Sequence, residues 1–162
     1  MKFIDIHHEH IWHTVGGEDG PSPQPIARDG QLLTTEQWHA VRETWPTHLR
    51  TGIILANHFE VETLAADLPR LALVVLQFPK WVDGRAYSQA RLLRSRYRYQ
   101  GEIRATGEVL VDMMPLLQRT GFDAVVLRPD QSLDDAQRAL RFFPVHYQGD
   151  TLDNHPLFAR SV

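Results

Sequence analysis

The chain has 162 residues, 43% of them apolar and 23% charged, with a formal net charge of −3. That is enough for one domain with a buried core, and the composition excludes a disordered chain. The acidic balance excludes global steering toward nucleic acid, and the absence of cysteine excludes thiol nucleophiles, disulfides, thiolate-held clusters and zinc ribbons.

The first residues, Met1-Lys2-Phe3-Ile4-Asp5-Ile6-His7, carry no apolar h-region. The longest apolar run, residues 71–76, is too short to span a bilayer. A cytoplasmic protein without membrane contact is expected. Phe3, Ile4, Ile6, Ile11 and Trp12 suggest short strands, with His7, His8, His10 and His13 among them. His8 and His10 would share one strand face, but the spacing matches no defined metal site, so no metal is expected. The Gly/Pro-rich stretch 16–25 reads as a loop. A short helix opens at Thr34 or Thr35 and carries Trp38, Val41 and Trp45 on one face, with Pro46 at its end. Residues 1–50 thus form an irregular N-terminal segment.

A regular rhythm begins at Thr51. Strands are expected over 52–55, 72–77, 102–105 and 124–127, spaced by about 20 to 30 residues as in βα units. The clearest, over residues 71–77, is a continuous apolar run rather than an alternating one, which indicates burial on both faces of a parallel sheet. Helices are expected over 60–68, 85–97, 108–119 and 132–142. Pro115 falls within the third; it kinks that helix at a cost of ~3 kcal/mol, or the helix restarts near Met114. The fold class is therefore α/β, a single domain with a core of four parallel βα units over 51–143. An open wound sheet and a half-barrel both fit. Residues 144–162 read as a strand fragment followed by a loose tail.

Six arginines, Arg85, Arg91, Arg94, Arg96, Arg98 and Arg104, fall between positions 85 and 104. Two turns, Asp83-Gly84-Arg85 and Ala105-Thr106-Gly107-Glu108, lie where strands give way to helices, the edge at which parallel sheets bind ligands. With Asp83 as N-cap, Arg85, Ser88 and Arg91 share the first turns of the second helix and form a clamp for an oxyanion or carboxylate. The competing reading is a capped surface helix whose arginines pair with acids on neighbouring elements. Arg91, Arg94 and Arg98 form a stripe interleaved with Tyr97 and Tyr99, a composition found at protein interfaces. Loops after the four strands would gather Asn57, His58, Asp83, Arg85, Arg104, Thr106, Glu108, Arg128 and Asp130. Such a set could do acid–base work, but a structural ion-pair network is the favoured reading because such networks are common. Asp83, Arg85, Ser88, Arg91 and Arg104 are expected on one contiguous surface, with Glu108 and Asp112 on one helical face. No phosphate loop, dinucleotide fingerprint, nucleophile elbow or HExxH occurs, so no flavin, haem or other cofactor is expected.

The run Phe78-Pro79, Asp83-Gly84-Arg85, Tyr87-Ser88, Ala90-Arg91-Leu92-Leu93-Arg94, Gly101-Glu102, Arg104-Ala105, Gly107, Val109-Leu110, Asp112, Arg119 and Gly121-Phe122-Asp123 resembles a bacterial family of unknown function. This is domain-of-unknown-function family 934, whose members carry the label of probable oxidoreductases of sulfite reduction and are encoded beside the sirohaem sulfite reductase. Residues 78–127 carry the resemblance. The sequence departs from the pattern at Ala86, Met113 and Thr120, where Gly, Gln and Cys are usual. The resemblance implies a pathway rather than a reaction. The expected function is an accessory of assimilatory sulfite reduction that binds the sulfite reductase or its electron donor through the Arg-rich edge. Asp83, Arg85, Tyr87, Ser88, Arg91, Arg94, Arg104, Glu108 and Asp112 are the residues assigned to an anion or partner. The alternative is a small enzyme acting on an anionic sulfur compound at the strand C-terminal ends.

Overall fold

The structure, a computed structural model, describes residues 1–5, 11–14, 25–143, 147–151, 153, 155, 156 and 158. His7, His8 and His10, most of the loop 16–25 and the start of the expected tail strand lie outside these residues. Among the described residues seven strands form one sheet: β1 (Lys2–Phe3), β2 (His13–Thr14), β3 (Gln31–Thr34), β4 (Thr51–Leu55), β5 (Leu73–Phe78), β6 (Glu102–Gly107) and β7 (Ala124–Val125). The order is β1-β7-β6-β5-β4-β3-β2, and every pairing is parallel. From β2 to β7 each strand lies beside its predecessor, so the chain winds in one direction without a reversal. One-way winding with the right-handed twist of strands curls the sheet, giving a half-barrel rather than a doubly wound sheet.

The four expected βα units are present as β4 to β7 with their following segments. The N-terminal segment, expected to be irregular, adds β1 at one edge of the sheet and β2 and β3 at the other. Helix α1 (Thr35–Val41) follows β3 directly, because Thr34 caps it: its hydroxyl accepts from Gln37 N, and the Gln37 side chain accepts from Thr34 N. The helix stops at Val41, short of Pro46.

Three expected helices take other forms. Over 60–68 the chain makes separate 3₁₀ turns, Val61–Leu64 and Leu68–Arg70, with Pro69 within the second. Helix α2 (Arg85–Arg91) passes into a wider π-helical turn, Leu92–Arg96, where Tyr97 N–H reaches back five residues to Leu92 O. After β6 a 3₁₀ turn, Val111–Met113, precedes α3 (Met114–Thr120). Pro115 therefore sits in the first turn of α3, where no intrahelical donor is lost and no kink arises. Helix α4 (Leu133–Phe142) is capped by Ser132, whose hydroxyl accepts from Asp135 N.

Alternation along the strands separates two buried faces. Leu33, Ile53, Leu55, Val74, Leu76, Phe78, Ile103, Ala105 and Val125 join Ala86, Ala90, Leu93 and Leu117 in the core beneath the helices. On the other face Leu73, Val75 and Ala124 are equally buried. Gly52 lies on that face beside Leu73, and a side chain there would meet the Trp12 ring at 3.0 Å, so the N-terminal segment lies across it.

Candidate functional site

The C-terminal ends of β4 and β5 support a pinned turn. After β5 the chain runs through Pro79, Lys80, Trp81 and Val82, all exposed, and Asp83 N–H closes a turn onto Lys80 O at 3.0 Å. The Asp83 carboxylate then holds three groups. Asn57 Nδ2, from the loop after β4, donates to its Oδ2 at 2.6 Å. Arg85 Nη2 and Nε donate at 2.6 and 3.0 Å, and Arg85 N donates at 3.3 Å. The Arg85 guanidinium beside Asp83, with help from Asn57, pulls the Asp83 carboxyl down to about 2. Gly84 occupies the N-cap position, so Asp83 caps from one residue further out than expected. Below the turn Gln89 Nε2 donates to Ala56 O and Phe59 O, each at 2.9 Å, and ties α2 to the β4 loop.

The turn thus presents Trp81 at 57% and Val82 at 65% exposure on a base fixed by charge-assisted hydrogen bonds. Tyr87 stands behind it, half-buried, edge-on to Phe78 at 5.1 Å between ring centres and to Phe122 at 6.4 Å. Burial pushes its hydroxyl up to about 12. Ser88 is exposed on α2. A small cavity of about 320 Å³ lies beside the turn among Asn57, His58, Gln77 and Gly107.

The remaining arginines go elsewhere. Arg104 does not share the expected surface. Strand β6 runs two residues beyond Ala105, which leaves Arg104 in mid-strand opposite Val75, on the face away from the helices and only 5% exposed. There it donates to Glu102 Oε1 at 2.7 and 2.9 Å, and Lys2 pairs with the same carboxylate at 3.5 Å. Arg94 reaches the opposite edge of the sheet. Its guanidinium donates to Tyr99 O at 2.5 Å, Gly101 O at 2.9 Å and Gly121 O at 3.0 Å, and pairs with Asp123. Arg96 lies 4.0 Å from Glu62 and over the Tyr97 ring. Arg91 is exposed, with no ion pair or hydrogen bond to its side chain among the described residues.

Glu108 belongs to the turn after β6, not to a helix, and accepts from Arg128 Nη1 at 2.7 Å. Arg128 also holds Asp130 through two bonds of 2.6 Å, which lowers the Asp130 carboxyl and raises the guanidinium. Asp112 is exposed on the 3₁₀ turn, so Glu108 and Asp112 do not share a helical face. Among the described residues no three His, Asp or Glu side chains gather as a metal-holding group, and no helix is long and apolar enough to cross a membrane. Sequence reasoning did not single out Trp81, Val82 or Gln89. An aromatic between Pro79 and the Asp83-Gly84 turn, outside any helical or strand pattern, was the available signal for Trp81.

Fold and site together define a class: a one-way-wound parallel α/β protein whose β5–α2 turn forms an exposed platform on a pinned base. Within that class the chain belongs to the family described as Bacterial protein of unknown function (DUF934), which matches residues 52–158. No curated protein matches it. The matched span starts in β4 and takes in the pinned turn, the helical arginines and the segment after α4.

Proposed function

We propose that the protein is a non-enzymatic accessory of assimilatory sulfite reduction, and that it docks on the sulfite reductase or its electron donor through the β5–α2 turn. One observation carries the reading: Trp81 and Val82 are exposed side by side on a turn whose base Asp83 fixes through Asn57 and Arg85. Exposed Trp and Arg side chains dominate binding energy at protein interfaces. A platform already held in shape loses little freedom when a partner arrives, so more of the contact energy appears as affinity. Lys80 and Arg85 against Asp83 leave the turn with a local positive excess, which favours an acidic partner surface. The pathway comes from the family resemblance over residues 78–127.

The second reading is a small enzyme acting on an anionic sulfur compound in the cavity beside Asn57 and His58. Asp83 suits that role poorly, because a carboxyl held at about 2 has no proton to donate at neutral pH and is a weak base.

The test is calorimetric titration of the purified sulfite reductase, and separately of its electron donor, into the wild-type protein and into Trp81→Ala. We expect one of the two to bind, and Trp81→Ala to weaken it by about thirtyfold, the size of an interface hot spot. Raising the salt should weaken both complexes by the same factor, because Trp81 carries no charge. Failure of both partners to bind, or equal affinity of Trp81→Ala, would overturn the proposal.

A further inference from the structure

A second feature lies at the far end of α2, away from the pinned turn. After α4 the chain returns to α3, where Thr151 N and Oγ1 donate to Arg119 O at 3.2 and 2.9 Å. Asp150 stands 3.7 Å from Arg119 Nε. This docking leaves a cleft of about 590 Å³ between the end of α2, the outer side of α3 and the returning segment. That volume is in the range of small-molecule sites.

The walls differ in chemistry. On the α2 side stand Arg91 and Ser95, and Ser95 belongs to the π-helical turn Leu92–Arg96. Such turns interrupt regular helix at a cost and recur at functional sites. The Arg91 guanidinium has no carboxylate partner among the described residues. On the α3 side Arg119 has a long contact to Asp150 and a long bond from Nη2 to Gln148 O at 3.5 Å, while its Nε makes no hydrogen bond. Two guanidiniums therefore face one carboxylate among the described lining residues, and such an excess is relieved by a bound anion. The third wall is apolar. Tyr147 and Phe158, 70% and 72% exposed, pack against each other with ring centres 5.7 Å apart, and Leu116 is exposed across from them. Large apolar side chains left open to water beside an excess of positive charge match a ligand with two ends.

We propose that this cleft binds a small organic anion with an acidic head on an apolar ring body. The head pairs with Arg91 and accepts from the Ser95 hydroxyl, and the body lies against Tyr147 and Phe158. A guanidinium fork recognises carboxylate and sulfonate heads alike, so the class is set by charge and ring rather than by the acid itself. This site is separate from the β5–α2 turn and does not depend on the docking role proposed for it.

The experiment is isothermal titration of the full chain with benzenesulfonate and with phenylacetate. Benzenesulfonamide serves as the uncharged isostere and inorganic sulfate as the head alone. We expect saturable one-to-one binding of at least one acidic probe, with about tenfold weaker binding of the sulfonamide and of sulfate. Arg91→Ala should lose about tenfold in affinity for that probe, and Arg91→Lys should recover part of the loss. Arg91 is exposed, so both variants are expected to fold, and circular dichroism checks this. Absence of saturable binding by both acidic probes overturns the proposal. So does binding unchanged by Arg91→Ala, and so does sulfate or the sulfonamide binding as tightly as the acidic ring.

Discussion

At the start of α2 Arg85 grips a carboxylate two residues away, while Arg94, in the π-helical turn at its far end, ties together chain segments up to 29 residues away. The two side chains are chemically identical and stand on one helical stretch. Arg85 is 58% exposed and its pair shapes a single turn. Arg94 is 17% exposed and closes the entries to both β6 and β7, through Gly101 O on one side and Gly121 O and Asp123 on the other. A pair that spans few residues orders little chain, whereas one that bridges distant segments holds together elements that would otherwise separate. The N-terminal edge of the sheet is thus where arginine chemistry is spent on the fold. The C-terminal edge is where it shapes a surface.

The two edges also differ in how a glycine is used, and the largest expected effect tests this. Gly107 ends β6 at φ +95°, and a Cβ there would lie 2.4 Å from Phe78 O, a backbone atom of the neighbouring strand. Gly121 ends α3 at φ +101°, but its Cβ would meet Arg94 Cγ at 2.5 Å, a side-chain atom with more room to yield. Gly107→Ala should therefore destabilise by about 3 kcal/mol or more, from the left-handed backbone and the rigid clash together. Gly121→Ala should cost about 1–2 kcal/mol. Urea denaturation of both variants checks the order. If Gly121→Ala proves the worse, Arg94 is as immobile as backbone and the two edges use glycine alike.

Next in size is the staple itself. Arg94→Ala removes donors from three carbonyls and leaves Asp123 without its partner guanidinium, while Asp123 Oδ2 still accepts from Ile103 N at 2.8 Å. We expect a loss of about 2–3 kcal/mol, in the range for charge-assisted hydrogen bonds. Arg94→Lys should restore less than half, because one ammonium cannot reach the acceptors that a planar fork spans. Urea midpoints of the two variants decide the matter. Full rescue by lysine would mean that charge, not geometry, holds this edge.

The sequence made part of this legible. Leu73–Phe78 announces itself as a buried strand because its run is apolar on both faces, and Ser132 and Thr34 declare the helices they cap. Strand β3 carries no such signal: Gln31-Leu32-Leu33-Thr34 is short and half polar, and it exists because β4 offers a partner. Arg104 reads as a strand-end residue because the turn signal Ala105-Thr106-Gly107-Glu108 closes the strand at Ala105 in the sequence. Backbone pairing with Gln77 and Phe78 carries β6 on to Gly107, and those two residues move Arg104 from the edge to the middle. The helix expected over 85–97 has continuous helical periodicity, and periodicity does not register the change to π winding that separates Arg91 and Ser95 from the residues of the core. Pairing between distant residues is likewise invisible in composition, so Arg94 and Arg91 read alike although one is a staple and the other lines a cleft.

The smallest expected effect concerns the local pair, and it returns to the contrast between the two arginines. The folded Asp83 carboxyl sits at about 2, below its ordinary value of 3.8, because Arg85 and Asn57 favour the ionised form. A depressed carboxyl contributes stability that is fully present above its unfolded value and is lost as pH falls through its folded value. Comparison of wild type with Asp83→Asn should therefore show a small stability difference that is level from neutral pH down to about pH 5 and fades between about pH 4 and pH 2. Carbon-detected NMR titration of the Asp83 carboxyl gives the same information directly, with a midpoint near 2 expected. The titration also asks whether the turn is pinned at all. If Asp83 titrated in the ordinary carboxylate range, Arg85 would be as unrestrained as Arg91, and Trp81 and Val82 would sit on a mobile loop. The turn would then have to be ordered by its partner at the moment of binding, and affinity at Trp81 would come with an entropic penalty that a pinned platform avoids.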